Sequence, residues 1–279
     1  MLAIRHLTAG YGPRPVLRDV TADIAPGSFV GLIGPNGSGK TTLLRAASGV
    51  LVPSSGEVFL EGTRVHTMDP QARARRMACL SQDLSLDLAF TVREVVLLGR
   101  SPYLPRLGGE TPKDLAIAER AMQRADVGHL ADRAVTALSG GERRRAFIAM
   151  CLAQEPRLFL LDEPTTHLDV AHQLSVLDLI LRLNREEGMT VVAVFHDLNL
   201  AAEYCERLVV MNRGEVVAVG SPEEVVTVDR IARVYGAHVV IERNPVSGKP
   251  HVIVTAGKSL PPAAPARNGP DSSEREVVS

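Results

Sequence analysis

Hydrophobic and polar positions alternate, or run together in short apolar stretches, through the first third of the chain. Leu2 to Leu7, Val16 to Ile24 and Phe29 to Ile33 read as strands, the second entered after the Tyr11-Gly-Pro turn. Residues 39 to 49 carry helical spacing and end at Gly49. A strand pair is expected around Gly56 to Leu60 and Met77 to Ser81, with an Arg-rich, solvated helix over Asp69 to Arg76 between them. From Thr91 to about Leu138 the pattern turns helical. It opens on Thr91-Val-Arg-Glu94, where the hydroxyl and the carboxylate three residues on satisfy each other's backbone amides, and continues through Lys113 to Ala125. This block reads as an inserted helical subdomain.

Buried strands and helices then alternate: Leu158 to Leu161, helix 170 to 187, Thr190 to Phe195, helix 197 to 205, and Leu208 to Met211. Short, continuously apolar strands joined by helices imply a mostly parallel α/β sheet covered on both faces. A hairpin-like Val216 to Val219, a helix near Pro222 to Val226 and a Val/Ile-rich pair, Val239 to Glu242 and His251 to Thr255, follow. Residues 259–279, rich in Pro, Ser and Glu, have little to bury and are expected to be a disordered tail, which leaves 1–258 as the folded domain.

Composition narrows the function classes. With 279 residues, 45% of them hydrophobic, the chain can bury a sizeable core. Its 31 Lys+Arg against 32 Asp+Glu give no global field that would attract nucleic acid. No apolar run approaches the roughly 18 residues that span a bilayer, and Met1-Leu-Ala-Ile-Arg5 enters a strand without a signal-peptide core, so a cytoplasmic location is expected. Cys79, Cys151 and Cys205 lack zinc or disulfide spacing and are expected to be buried small hydrophobes.

The chemistry begins at Gly34-Pro35-Asn36-Gly37-Ser38-Gly39-Lys40-Thr41-Thr42, between an apolar strand and a helix. That context makes it a phosphate cradle for ATP or GTP: the glycines let backbone N–H groups turn inward, and the helix aims its positive end at the anion. Lys40 is placed for the β- and γ-phosphates and Thr41 for Mg²⁺. Leu158-Phe-Leu-Leu ends in Asp162-Glu163; Asp162 can hold Mg²⁺ through water, and Glu163 can take a proton from water attacking the γ-phosphate. An acidic strand end that merely caps the turn Pro164-Thr-Thr is the plain alternative. Ser139-Gly140-Gly141-Glu142 is a capping box, yet capping needs no glycine pair, so a second phosphate-binding helix end is also open. Arg143 to Arg145 oppose that helix's dipole and serve a partner or the nucleotide, or form a solvated basic turn. Gln82 and His196 each follow a buried strand, where open sheets place ligand contacts, although a lone histidine there is usually structural; the Gln82 amide could touch Mg²⁺ or the attacking water.

Tyr11, Gly34 to Thr42, Gln82, Leu138 to Glu142, Leu158 to Glu163, Leu168-Asp169 and His196 stand in the order of the ATP-binding subunits of ABC transporters, which the chain resembles from about residue 2 to 255. The resemblance implies a P-loop NTPase fold with a mostly parallel core sheet, an N-terminal antiparallel β subdomain and an inserted α-helical subdomain at about 91–138. It implies ATP and Mg²⁺ as the bound species, Tyr11 stacked on adenine, Gln82 linking the metal site to the helical subdomain, Glu163 as general base and His196 on the γ-phosphate. It also implies a head-to-tail homodimer in which Ser139, Gly140 and Gly141 complete the partner's site. Integral-membrane permease subunits, with a periplasmic or lipid-anchored binding protein beyond them, would hold the chain at the cytoplasmic face of the membrane. Two departures are present: Glu142 replaces the commoner Gln, and Thr166-His-Leu precedes Asp169 in place of Ser-Ala-Leu. Gly99-Arg-Ser-Pro102, Thr166-His-Leu-Asp169, His196-Asp-Leu-Asn-Leu-Ala-Ala202 and Asn244-Pro-Val-Ser-Gly-Lys-Pro250 resemble importers of iron-siderophores, haem and cobalamin. A non-transport ABC ATPase would carry two nucleotide domains or a long coiled coil, and an unrelated P-loop kinase would lack Ser139-Gly-Gly.

Overall fold

The computed structural model describes residues 1–82, 90–105 and 108–254; the expected tail and Thr255 lie outside them. The chain opens with β1 (Leu2–Ala9), β2 (Leu17–Ile24), β3 (Phe29–Ile33), α1 (Lys40–Ala47), β4 (Ser55–Leu60), β5 (Thr63–Arg64), α2 (Pro70–Ala74) and β6 (Met77–Leu80). The helices α3 (Val92–Leu98), α4 (Pro112–Arg124) and α5 (Gly140–Ala153) follow, then β7 (Leu158–Leu161), α6 (Val170–Glu187), β8 (Thr190–Val194) and α7 (Leu198–Tyr204). The chain continues through β9 (Arg207–Asn212), β10 (Glu215–Gly220), α8 (Pro222–Val225), α9 (Val228–Tyr235), β11 (Val239–Arg243) and β12 (Pro250–Val254).

Two sheets share the core. The larger runs β10-β9-β3-β8-β7-β6, parallel except for β10, and the smaller is the antiparallel β2-β1-β4-β5. Alternation along the parallel strands explains why they are apolar throughout. Leu158 and Leu160 face a core shared with α1 and the antiparallel sheet, whereas Phe159 and Leu161 face a second core built on α5 and α6. Val192 and Val194 against Val191 and Ala193 divide in the same way.

The expected pair at 56–60 and 77–81 is corrected: β4 pairs antiparallel with β1, while β6 pairs parallel with β7. β6 is nearly all apolar and suits a two-sided core; β4 begins with exposed residues and suits a sheet with one wet face. Cys79 is corrected too. It is exposed, because β6 is the sheet edge and this side chain points into a notch with Ser48, Val50, Leu98 and Met150, whereas Cys151 and Cys205 are buried.

The helical layer continues past Leu138, since α3 and α4 both pack against α5. Its polar anchor is Arg100, 2% exposed, which donates to Asp114 Oδ1 (3.0 Å), Ala153 O (2.7 Å) and Glu155 Oε2 (2.9 Å). Its guanidinium also lies 3.8 Å from the centre of the Tyr103 ring, and Arg75 covers the same ring at 4.8 Å while donating to Pro102 O. Thr111, capping α4, donates to Asp114 Oδ2 at 2.6 Å. The Thr111 hydroxyl, then its backbone amide and Arg100, hold the Asp114 carboxyl down at about 2, from an ordinary value of 3.8. A depressed carboxylate stabilises the fold above its ordinary pKa, and that stability drains away as pH falls through the folded value. Acid titration of unfolding should therefore show the wild type losing stability from about 3.8 down to about 2 more steeply than Asp114→Asn. Equal acid slopes would exclude this carboxylate as a source.

Candidate active site

The phosphate loop leaves the C-terminal end of β3, in the middle of the parallel sheet, and enters α1 at Lys40. Gly34 permits this: at φ 149°, a Cβ there would stand 2.2 Å from the Met211 carbonyl oxygen of neighbouring β9. Only a residue without Cβ lets the two strand ends close so tightly. Lys40 Nζ donates to Gly34 O (2.7 Å) and Pro35 O (3.1 Å), beneath the loop it serves. Burial lowers the Lys40 pKa, against the opposing fields of Glu163 and Asp162. Ser38 Oγ is buried with no hydrogen-bond partner among the described residues.

The strand end of β7 supplies the carboxylates. Asp162 accepts from Thr41 Oγ1 at 3.1 Å, and burial raises its pKa, partly offset by that hydrogen bond. Glu163 adopts φ 50°, accepts from Thr166 Oγ1 at 2.9 Å and contacts His196 Nε2. A cavity of about 370 Å³ gathers Asn36, Gly37, Gly39, Lys40, Thr41, Thr42, Gln82, Glu163 and His196, with Val16 on its wall. A neighbouring cavity of about 440 Å³ joins Gln82 to Thr41 and Asp162. Hydroxyl, carboxylate and amide oxygens are hard donors, and with the orphaned Ser38 hydroxyl they fit a Mg²⁺-nucleotide.

The remaining sequence-predicted residues stand apart from this cavity. Tyr11 is 55% exposed, and its hydroxyl accepts from Arg45 at 2.9 Å. Ser139 caps α5, so Gly140 and Gly141 form its first turn. A Cβ on Gly141 would lie 2.1 Å from the His172 ring, which is itself held by Asp169 at 2.7 Å.

The reading of Arg143 to Arg145 as groups for a partner or nucleotide, or as a solvated basic turn, is corrected for two of the three. Arg144 donates to the carbonyls of Pro164 (2.9 Å), Ser81 (3.2 Å), Asp162 (3.2 Å) and Glu163 (3.1 Å), and Arg145 donates to Ser175 Oγ at 2.7 Å. Burial brings the Arg144 pKa down to about 10. Arg143 is exposed. Sequence reasoning missed Arg144 as the clamp on the ends of β6 and β7, Thr166 on the candidate base and His172 beneath the Gly141 turn. Thr166 and His172 sit beside Asp169, where the departure from Ser-Ala-Leu was the available signal.

A phosphate loop at the centre of a parallel sheet, a strand ending in paired carboxylates and a glycine-led helix offset from both define a nucleotide-hydrolysing cassette. The ABC transporter family matches residues 17–166. The chain belongs to that family, as an ATPase subunit. It is 43% identical over 259 residues to the ferric enterobactin transport ATP-binding protein FepC of Escherichia coli K12, covering 93% of this chain and 95% of the relative. It is 43% identical over 268 residues to the hemin import ATP-binding protein HmuV of Myxococcus xanthus DK1622, covering 94% and 99%. A cobalamin import ATP-binding protein, BtuD of Halobacterium salinarum R1, is 46% identical over 84% of this chain, which spans 58% of that relative's length. Among solved structures, an inward-facing metal-chelate-type ABC transporter aligns with TM-score 0.80 at 27% identity, covering 90% of this chain and 96% of that one. A dimeric ATP-binding cassette in a post-hydrolysis state with ADP and Pi aligns with TM-score 0.69 at 30% identity, covering 79% and 98%. Among the described residues no helix is long and apolar enough to cross a membrane.

Proposed function

We propose that the chain powers import of a ferric siderophore, haem or a related iron chelate, hydrolysing ATP at the cytoplasmic face of the membrane beneath permease subunits. Identity of 43% over nearly the full length of FepC and of HmuV carries this reading. Cobalamin is the second cargo class, favoured by the BtuD match.

In this reading Glu163 accepts the proton of the attacking water, Lys40 and the loop amides hold the phosphates, and His196 meets the γ-phosphate. Thr41, Asp162 and Gln82 would hold Mg²⁺, which supplies charge neutralisation at the phosphates when bound. Ser139, Gly140 and Gly141 serve the partner's nucleotide in a homodimer; their absence from the lining of their own chain's cavity supports that role. Tyr11 is assigned to adenine and has the exposure such stacking needs. The notch beside Cys79, rimmed by the exposed Val50 and Leu98, is apolar enough to receive a cytoplasmic segment of the permease.

Uptake of labelled ferric siderophore, haem and cobalamin by cells carrying wild type or Lys40→Ala tests the cargo. Iron-chelate uptake should fall with Lys40→Ala to the level of cells lacking the chain. If a sugar, amino acid or peptide depends on Lys40 and none of the three does, the cargo assignment is wrong.

A further inference from the structure

Two of the sequence marks singled out above, His196 to Ala202 and Asn244 to Pro250, have no part in the cavity beyond His196 itself, yet the fold brings them together. Helix α7 begins two residues after His196. Asp197 caps it, its Oδ1 accepting from the backbone N–H groups of Asn199 (2.7 Å) and Leu200 (3.1 Å). With its main chain committed to that cap, Asn199 turns its side chain to the C-terminal hairpin β11–β12. Its Nδ2 donates to Val252 O at 3.1 Å, and the Val252 N–H donates to its Oδ1 at 2.7 Å. A single side-chain amide thus occupies the place of a neighbouring strand and satisfies both main-chain groups of Val252 on the edge of β12.

A second tie lies at the hairpin turn, where Ser247 Oγ donates to Glu203 Oε2 at 2.7 Å near the other end of α7. Val252, Val239, Ala201 and Ala202 are buried in one apolar cluster, so the hairpin is packed onto the helix as well as hydrogen-bonded to it. A cap alone fixes where a helix starts. Tyr204, donating to Asp178 Oδ1 at 2.8 Å, ties the far end of this seven-residue helix to α6, so the Asn199–Val252 pair is the tie nearest His196, and a roll of the helix at that end would swing His196 relative to Glu163.

We infer that Asn199 is a positioning residue for hydrolysis: through it the C-terminal hairpin holds α7 in the one rotation that places the His196 imidazole against Glu163. The inference rests on the reading of His196 as a γ-phosphate contact. It assigns the strand pair after residue 238 to catalysis, a role beyond covering the core.

The test is steady-state ATP hydrolysis by the full chain in four forms: wild type, Asn199→Asp, His196→Ala and the double variant, with Asn199→Ala as a fifth. Asn199→Asp keeps the shape and sets an oxygen against Val252 O in place of the donor. Each Asn199 substitution should lower kcat by about 3- to 10-fold, with KM for ATP within about twofold of wild type. In the His196→Ala background the same substitutions should cause no further loss, because their effect runs through that imidazole. Multiplicative losses in the double variant, a rise in KM with kcat unchanged, or wild-type kinetics in Asn199→Asp would each overturn the inference. If His196→Ala alone leaves kcat unchanged, the role of His196 itself falls, and this inference with it. A drop in His196→Ala without one in Asn199→Asp removes only the positioning role.

Discussion

Glu163→Gln is expected to bind ATP as the wild type does and to hydrolyse it about 10²- to 10⁴-fold more slowly, the usual worth of a positioned general base. The substitution leaves the binding apparatus in place: Lys40 stays on the carbonyls of Gly34 and Pro35, and Thr41 stays on Asp162. A glutamine carbonyl can still accept from Thr166 and His196, the two groups that orient the carboxylate now. What it cannot do is take a proton. The backbone at this position, at φ 50°, lies where only a minority of non-glycine residues sit, and the turn that holds it there does not depend on the carboxylate charge. Single-turnover hydrolysis measured beside equilibrium nucleotide binding separates the two steps. Near-normal turnover would place proton transfer elsewhere.

Arg100→Ala should cost about 3 kcal/mol of folding stability and lower the melting temperature by on the order of 5–10 °C. The arginine is almost fully buried, and removing it strips Asp114 of its countercharge while leaving the Ala153 carbonyl without this donor. The figure sits at the low end for a broken buried pair because Thr111 still satisfies Asp114 Oδ2. Arg100→Lys should recover little: an ammonium cannot reach Asp114, Ala153 and Glu155 together, nor lie flat on Tyr103. Thermal unfolding of both variants measures this. Arg100→Lys at wild-type stability would show that charge alone, not the planar fork, is what the site requires.

Features whose causes are local could be read from the sequence. The phosphate loop needs its glycines, lysine and threonine within nine consecutive residues, and the caps at Thr91 and Ser139 need only a partner three residues on; all appear where expected. Helix α9 is one local element that was missed, its start marked only by Thr227 as the cap. Features set by distant pairing were hidden. Nothing near residues 56–60 or 77–80 says that the first strand will seek β1 and the second β7. Arg144 reads as one member of a basic turn until the carbonyls it meets, 18 to 63 residues away in sequence, are in place. The pairing of Asn199 with Val252 spans 53 residues and leaves no periodic trace. Cys79 departs from its expected burial because an apolar strand reads as covered on both sides, and β6 lies at the sheet edge.

Arg144 grips main-chain oxygens only: Ser81, Asp162, Glu163 and Pro164 each offer a carbonyl, and no side chain of theirs takes part. Such a hold is blind to residue identity. The side chains at 162 and 163 can therefore be exchanged, in the laboratory or over generations, without loosening the backbone that carries them, whereas loss of the one guanidinium would release both strand ends at once.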